Sequence, residues 1–301
     1  MRITQNMLAA QILTDISASA TRMANDQEQL ATSKRINQAS DDPQGSSLVL
    51  QLQDRIGATQ GFQNATSATQ TSLDTASAAL TQVSDVLAQA RDLATQGSSD
   101  TTDGARGVLA NQVNQLLEEL LSQANTQSQG RYVFGGTQTT LPPFSATRDA
   151  SQNITAVSAN PLGINGTVNV QVAEGVVIQA NVPGGQAFTQ STDLFALLIS
   201  LRDALNNNDT ANIAASLDTL TAASNQVTAM LGAVGATVQR LQAIATGNQS
   251  DLTRFQALLS QTQDADIAEV SINLQKDQTA YQAALESGAK VFQLSLLDYL
   301  Q

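Results

Sequence analysis

Both ends of this 301-residue chain carry apolar residues in alternating steps of four and three. From the N-terminus the ladder runs Ala9, Leu13, Ile16, Ala20, Met23, Gln27, Leu30 and Lys34, with a polar position at Gln27. Such spacing puts one stripe on one face of an α-helix and calls for a second helix to cover it, as in a coiled coil. A last helix, predicted from about Ala265, repeats the pattern through Ile267, Val270, Leu274, Tyr281, Leu285, Phe292 and Leu296 and closes on the apolar run Leu294–Leu300. Chain ends are disordered by default, and an apolar end asks for a partner. Residues 1–40 hold four basic and three acidic groups, and residues 260–301 hold two and six. The opposite signs favour pairing of the two ends with each other. Aromatic residues are only 3% of the chain and Trp is absent, so Ala, Leu, Val and Ile must supply the packing, which suits closely spaced helices.

Between the ends the periodicity changes twice. A second helical ladder runs Leu73, Ala76, Leu80, Val83, Leu87, Ala90, Ala94 and stops at Gly97, and a third spans Asp103 to Ala124. Four of the five prolines then fall between residues 131 and 190, together with Gly135-Gly136, Gly163, Gly166, Gly175 and Gly184-Gly185. Alternating runs such as Val168-Asn169-Val170-Gln171-Val172 and Val176-Val177-Ile178 lie among them, which is a strand signal. Beyond this insert, Ser191-Thr192-Asp193 can cap a helix carrying Leu194, Leu197, Leu198 and Leu201. The longest ladder follows, from Ile213 to Leu259, with Gly232, Gly235 and Gly247 as possible interruptions. The expected fold is mainly α with a β insert: a long helical bundle, its N- and C-terminal helices paired as a coiled coil, with a small β-rich outer domain. The domains read as 1–40 with 260–301 (terminal coiled coil), 41–130 with 191–259 (helical bundle), and 131–190 (β-rich).

The net charge of −12 disfavours nucleic acid and anionic membrane surfaces, both of which call for clustered Lys and Arg. The chain has no Cys and no His, so it lacks thiol chemistry, the commonest general base and the commonest transition-metal ligands. Enzymes built on carboxylates, Lys, Ser or Tyr remain conceivable, but no nucleophile–base pair stands out. The acidic pairs Asp41-Asp42 and Asp264/Asp266 lack the loop of oxygen ligands that Ca²⁺ requires, so neither metal nor cofactor is expected. No run approaches the ~20 apolar residues of a membrane span. Met1–Asn6 is not backed by an apolar run of signal-peptide type.

The stretch Lys34-Arg35-Ile36-Asn37-Gln38-Ala39-Ser40-Asp41-Asp42-Pro43-Gln44-Gly45 reads physically as the close of one helix at Arg35-Ile36-Asn37. A hydroxyl or acidic cap then precedes Pro in the first turn of the next helix. It resembles the signature of the flagellin superfamily between its first two helices, carried here by Arg35, Asn37, Asp41, Asp42, Pro43 and Gly45. Within that superfamily, three stretches resemble the hook-associated protein type 3 family: Met1-Arg2-Ile3-Thr4-Gln5-Asn6-Met7-Leu8, Gly130-Arg131-Tyr132-Val133-Phe134-Gly135-Gly136-Thr137 with Leu141-Pro142-Pro143-Phe144, and the C-terminal Tyr281–Leu285 with Leu294–Leu300. The resemblance covers the first ~140 and last ~45 residues. It implies a non-enzymatic structural subunit of the bacterial flagellum, secreted unfolded through the flagellar type III apparatus. It implies a homo-oligomeric ring between hook and filament, with another hook-associated protein on the hook side, flagellin on the filament side, and an export chaperone on the C-terminal region.

The residues expected to carry assembly are Ile3, Met7, Leu13, Ile16, Met23 and Leu30 at one end. At the other they are Leu274, Tyr281, Leu285, Phe292, Leu296, Leu297 and Leu300. Each ladder residue could equally be core within one subunit. Two other functions stay open: flagellin itself, which shares the helical ends and the Asp-Asp turn, and a secreted adhesin acting through the β insert.

Overall fold

The computed structural model describes residues 5–99 and 102–299. Seven helices and six short strands follow one another along the described chain. First come α1 (Gln5–Thr32), α2 (Pro43–Ser98) and α3 (Asp103–Ala124), then β1 (Gln127–Ser128), β2 (Arg131–Tyr132), β3 (Phe144–Arg148), β4 (Ile154–Ala159), β5 (Asn169–Ala173) and β6 (Val176–Gln179). The chain continues with α4 (Gly184–Phe188), α5 (Leu194–Asn206), α6 (Thr210–Gln263) and α7 (Ile267–Tyr299). It divides into two compact units, one of residues 1–58 with 251–301 and one of residues 59–250, and each takes a part of α2 and α6.

In the unit of residues 59–250, α2, α3, α5 and α6 share one core with the strand region. The α2 ladder expected from the sequence is its spine: Leu73, Ala76, Leu80, Val83, Leu87, Ala90 and Ala94 are all buried. The Asp193 carboxylate accepts from the backbone N–H of Phe195 and Ala196 and so caps α5. Gly232, Gly235 and Gly247 do not interrupt α6, which runs unbroken over 54 residues. Burial of Ile213, Leu220, Val227, Val234 and Leu241 along one face outweighs about 1 kcal/mol per glycine.

The insert differs from the single strand-rich body read from the sequence. It begins at Gln127, contains the short helix α4, and forms three separate antiparallel hairpins, β1–β2, β3–β4 and β5–β6. Four of the seven phenylalanines hold it to the helices. Phe134, Phe144, Phe188 and Phe195 make a chain of ring contacts with centroids 5.0–5.9 Å apart. Gly136 (φ +63) is required where two loops meet, because an added Cβ would collide with the Gly163 carbonyl. Thr137 N–H donates to that same carbonyl at 2.9 Å. The β5–β6 hairpin is fastened at Val172, whose carbonyl accepts from Asn248 Nδ2 at 2.9 Å and from Thr66 Oγ1 at 3.4 Å.

In the other unit, α1 packs along α7, pairing the two chain ends. α1 ends at Thr32 rather than at Arg35–Asn37. Ser33 turns the chain with φ +58, and residues 33–36 leave the helix to bond elsewhere.

Candidate assembly interface

The stretch singled out in the sequence becomes a clamp. Arg35 and Ile36 donate their backbone N–H groups to the Gln263 carbonyl at 2.7 and 3.3 Å, and Ala265 N–H donates to the Ser33 carbonyl at 3.1 Å. A short antiparallel bridge, Lys34 with Asp264, completes the join. The link between α1 and α2 is thus sewn to the link between α6 and α7, and both terminal helices leave from one point. The Arg35 guanidinium also donates to the Thr262 carbonyl at 2.9 Å. Ile36, only 3% exposed, anchors the clamp from inside.

The two aspartates divide the turn between them. Asp41 accepts from the N–H groups of Asn37 and Gln38, both at 2.9 Å. Asp42 is the N-cap of α2, accepting from Gly45 N–H at 2.9 Å, with Pro43 as the first helical residue. The Gly45 N–H, and then the Arg35 guanidinium, hold the Asp42 carboxyl below the ordinary carboxylate value. A Cβ at Gly45 would lie 2.5 Å from both Asp42 Oδ2 and Ile36 Cδ1, so the ends of both side chains would have to shift. Asn37 donates through Nδ2 to the Lys34 carbonyl at 3.2 Å. The other acidic pair is also occupied locally: Asp266 caps α7, and Asp264 accepts from Ser260.

From the clamp, α1 presents Ile12, Ile16, Ser19, Met23, Asp26 and Leu30 at steps of four and three as its more buried face. α7 answers with Val270, Leu274, Asp277, Tyr281, Ala284 and Gly288 at the same steps. Gly288 allows close approach, since a Cβ there would stand 3.1 Å from Ile12 Cγ2. This corrects the ladder read from the sequence. Ile16, Ala20, Met23 and Leu30 are covered in both readings, but Ile12, Ser19 and Asp26 take the more buried flanking positions while Leu13 and Gln27 are exposed. A polar layer lies on this face: Arg22 Nε meets Asp277 Oδ2 at 3.2 Å, and Arg22 also donates to Ser19 Oγ at 2.9 Å.

The residues proposed for assembly therefore fall into three sets. Ile16, Met23, Leu30, Leu274 and Tyr281 are half-buried in the α1–α7 seam. Met7 (62% exposed), Leu13 (56%) and Leu285 (45%) are exposed. Ile3 and Leu300 lie outside the described residues, and Phe292, Leu296 and Leu297 fall on α7 with their side chains outside the description. Sequence reasoning missed Ile12, Ile36, Gly288 and the exposed Ile272. Of the twelve large hydrophobic residues found exposed, eight belong to the unit that holds both ends. That concentration of exposed apolar residues in one unit makes it the candidate for contacts with other molecules.

Comparison with known proteins agrees with this geometry. Residues 3–139 match the bacterial flagellin N-terminal helical region. The chain is 27% identical over 324 residues to flagellar hook-associated protein 3 of Escherichia coli K12, covering 98% of this chain and 100% of that protein. It is 23% identical over 313 residues to the protein of the same name from Salmonella typhimurium LT2, covering 97% and 96%. The fold resembles a putative flagellar hook-associated protein from Vibrio parahaemolyticus (TM-score 0.65, 21% identity, 74% of this chain and 100% of that one). It also resembles flagellar hook-associated protein 3 from Legionella pneumophila (TM-score 0.61, 15% identity, 71% and 98%).

Proposed function

We infer that the chain is a member of the hook-associated protein 3 family, a structural subunit of the bacterial flagellum forming the junction between hook and filament. The observation that carries this is the end-to-end correspondence with two hook-associated proteins 3, which takes in the β insert as well as the helical ends. The flagellin-type region at residues 3–139 fits the same assignment, because a junction subunit must match a filament built from such helices.

The subunit works by assembly rather than catalysis. Its ends bury their inner stripes against each other and keep Met7, Leu13, Ile272 and Leu285 outward for neighbouring molecules. Residues 1–40 with 260–301 act as the terminal coiled coil of the subunit, 41–130 with 191–259 as its helical bundle, and 131–190 as its β-rich domain. Contacts around such a ring are head-to-tail, so the surfaces that meet are different ones. Another hook-associated protein lies on the hook side and flagellin on the filament side, with an export chaperone covering the C-terminal region until secretion.

A strain lacking this protein should make hooks that release their filaments, and the full chain should restore attachment. A chain without residues 285–301 should keep the unit of residues 59–250 folded yet fail to attach filaments. Filament attachment by that truncated chain would overturn the role of the ends. Growth of long filaments from the purified protein alone would identify a filament subunit instead.

A further inference from the structure

The clamp fixes where α1 and α7 begin side by side, but not which way α1 is rotated. α1 carries two stripes flanking the shared Ile16–Met23–Leu30 row, and the one turned inward is the more polar. Turning α1 by part of a turn would bury Leu13, cover the half-buried Ala20 further, and release Ile12, Ser19 and Asp26. Hydrophobicity alone favours that alternative. We propose that Arg22 and Asp277 are face-selecting residues, which hold α1 in the rotation that keeps Leu13 outward, and that the carboxyl of Asp26 opposes them, so that the choice responds to pH.

The opposition is visible in the layer itself. The Asp277 side chain is 16% exposed and is met by the Arg22 guanidinium. Asp26 enters the same layer with its Oδ2 buried and without a hydrogen-bond partner. Asp277 on α7 and Arg22 on its own helix are the charged groups that act on Asp26. Desolvation, and then repulsion by Asp277, raise the Asp26 carboxyl above its ordinary value, more than Arg22 lowers it. A carboxyl whose folded value is raised favours the folded arrangement in its neutral form. That stability is lost as pH rises through the folded value and is fully present below the unfolded one. Acidification from neutrality should therefore strengthen the observed rotation, opposite to the usual effect of acid on a salt-bridged carboxylate. The Arg22 side chain is 55% exposed, so the pair stays partly solvated and acts on the choice of face more than on overall stability. The inference concerns pairing within one chain and does not depend on what the ends assemble with.

The test uses the full-length chain, whose lack of cysteine allows single thiols to be introduced at Leu13→Cys and, separately, Ile12→Cys. The ratio of their alkylation rates reports the rotation, and the intrinsic pH dependence of the thiol cancels in it. The ratio should favour position 13 and rise as pH is lowered from neutrality through the raised Asp26 value towards the ordinary carboxylate range, by up to about tenfold for each unit by which Asp26 is raised. Asp277→Ala should bring the ratio down at least about threefold, and Asp26→Asn should hold it high and flat with pH. If Asp277→Ala unpairs the helices and both thiols react alike, the charge swap Arg22→Asp with Asp277→Arg decides, because face selection predicts that the ratio returns. An unchanged ratio in Asp277→Ala, a swap that fails to restore it, or the same pH profile in Asp26→Asn would each overturn the proposal.

Discussion

Truncating Ile36 to alanine is the sharpest test of the clamp. The side chain is 3% exposed, so nearly all of it leaves an apolar site. Buried Ile→Ala changes cost about 2–5 kcal/mol, and the lower part of that range, about 2–3 kcal/mol, is the minimum expected here. The backbone bonds that Ile36 keeps in place give the readout: Arg35 and Ile36 N–H to the Gln263 carbonyl, and Ala265 N–H to the Ser33 carbonyl. Native-state hydrogen exchange at those three amides should quicken about 30- to 140-fold, since 1.4 kcal/mol is a factor of ten. Ile36→Val, which removes one methyl, should cost about 0.5–1.5 kcal/mol and quicken exchange about 2- to 12-fold. Amides of α5 belong to the other compact unit and serve as the control. Less than a fivefold change at the clamp, or an equal change in α5, would refute the idea that Ile36 holds this join locally.

Three further outcomes are expected. Phe188→Ala removes the ring shared by Phe134, Phe144 and Phe195, costing about 3–5 kcal/mol of the unit that contains it, and calorimetry should show its transition fall while exchange at the clamp stays slow. Asp42, held low by the Gly45 N–H, contributes stability that is present above the unfolded carboxylate value and lost as pH falls through the lower folded one; the protection of the Gly45 amide relative to its intrinsic exchange should therefore stay steady from neutrality to about pH 5 and fall in stronger acid, and Asp42→Asn should blunt that response. Leu13→Ser with Leu285→Ser, both at exposed positions, should change stability by about 0.5 kcal/mol or less each, yet weaken filament attachment in a complemented strain; a large drop in stability would show that these residues belong to the chain's own core.

Much of the fold was legible because helices write their faces into the sequence at a fixed period. The bounds of α3, the Asp193 cap of α5 and the long run of α6 follow from local spacing and capping. The insert was only half legible. β5 and β6 alternate visibly, whereas β3 and β4 are short, mostly exposed strands whose residues carry little periodic signal. Ile36 was hidden for another reason: within its own loop nothing distinguishes it from an ordinary turn residue, and its partner Gln263 lies 227 positions away.

The sequence by itself determined that the two ends are helices with apolar stripes, that a turn with two acceptor carboxylates and a proline joins α1 to α2, and that a strand-bearing insert interrupts the helices. Those are local properties, set by residue spacing and by side chains that bond to their own backbone. Only the tertiary structure decided that the turn is sewn to the link between α6 and α7, and which stripe of α1 is covered. The ladder through Leu13 is the more apolar and is the one the sequence recommends. The covered stripe instead contains Ser19 and Asp26, because Asp277 stands opposite with Arg22 within reach. The pairing of charges across two helices far apart in the chain cannot be read from either helix alone.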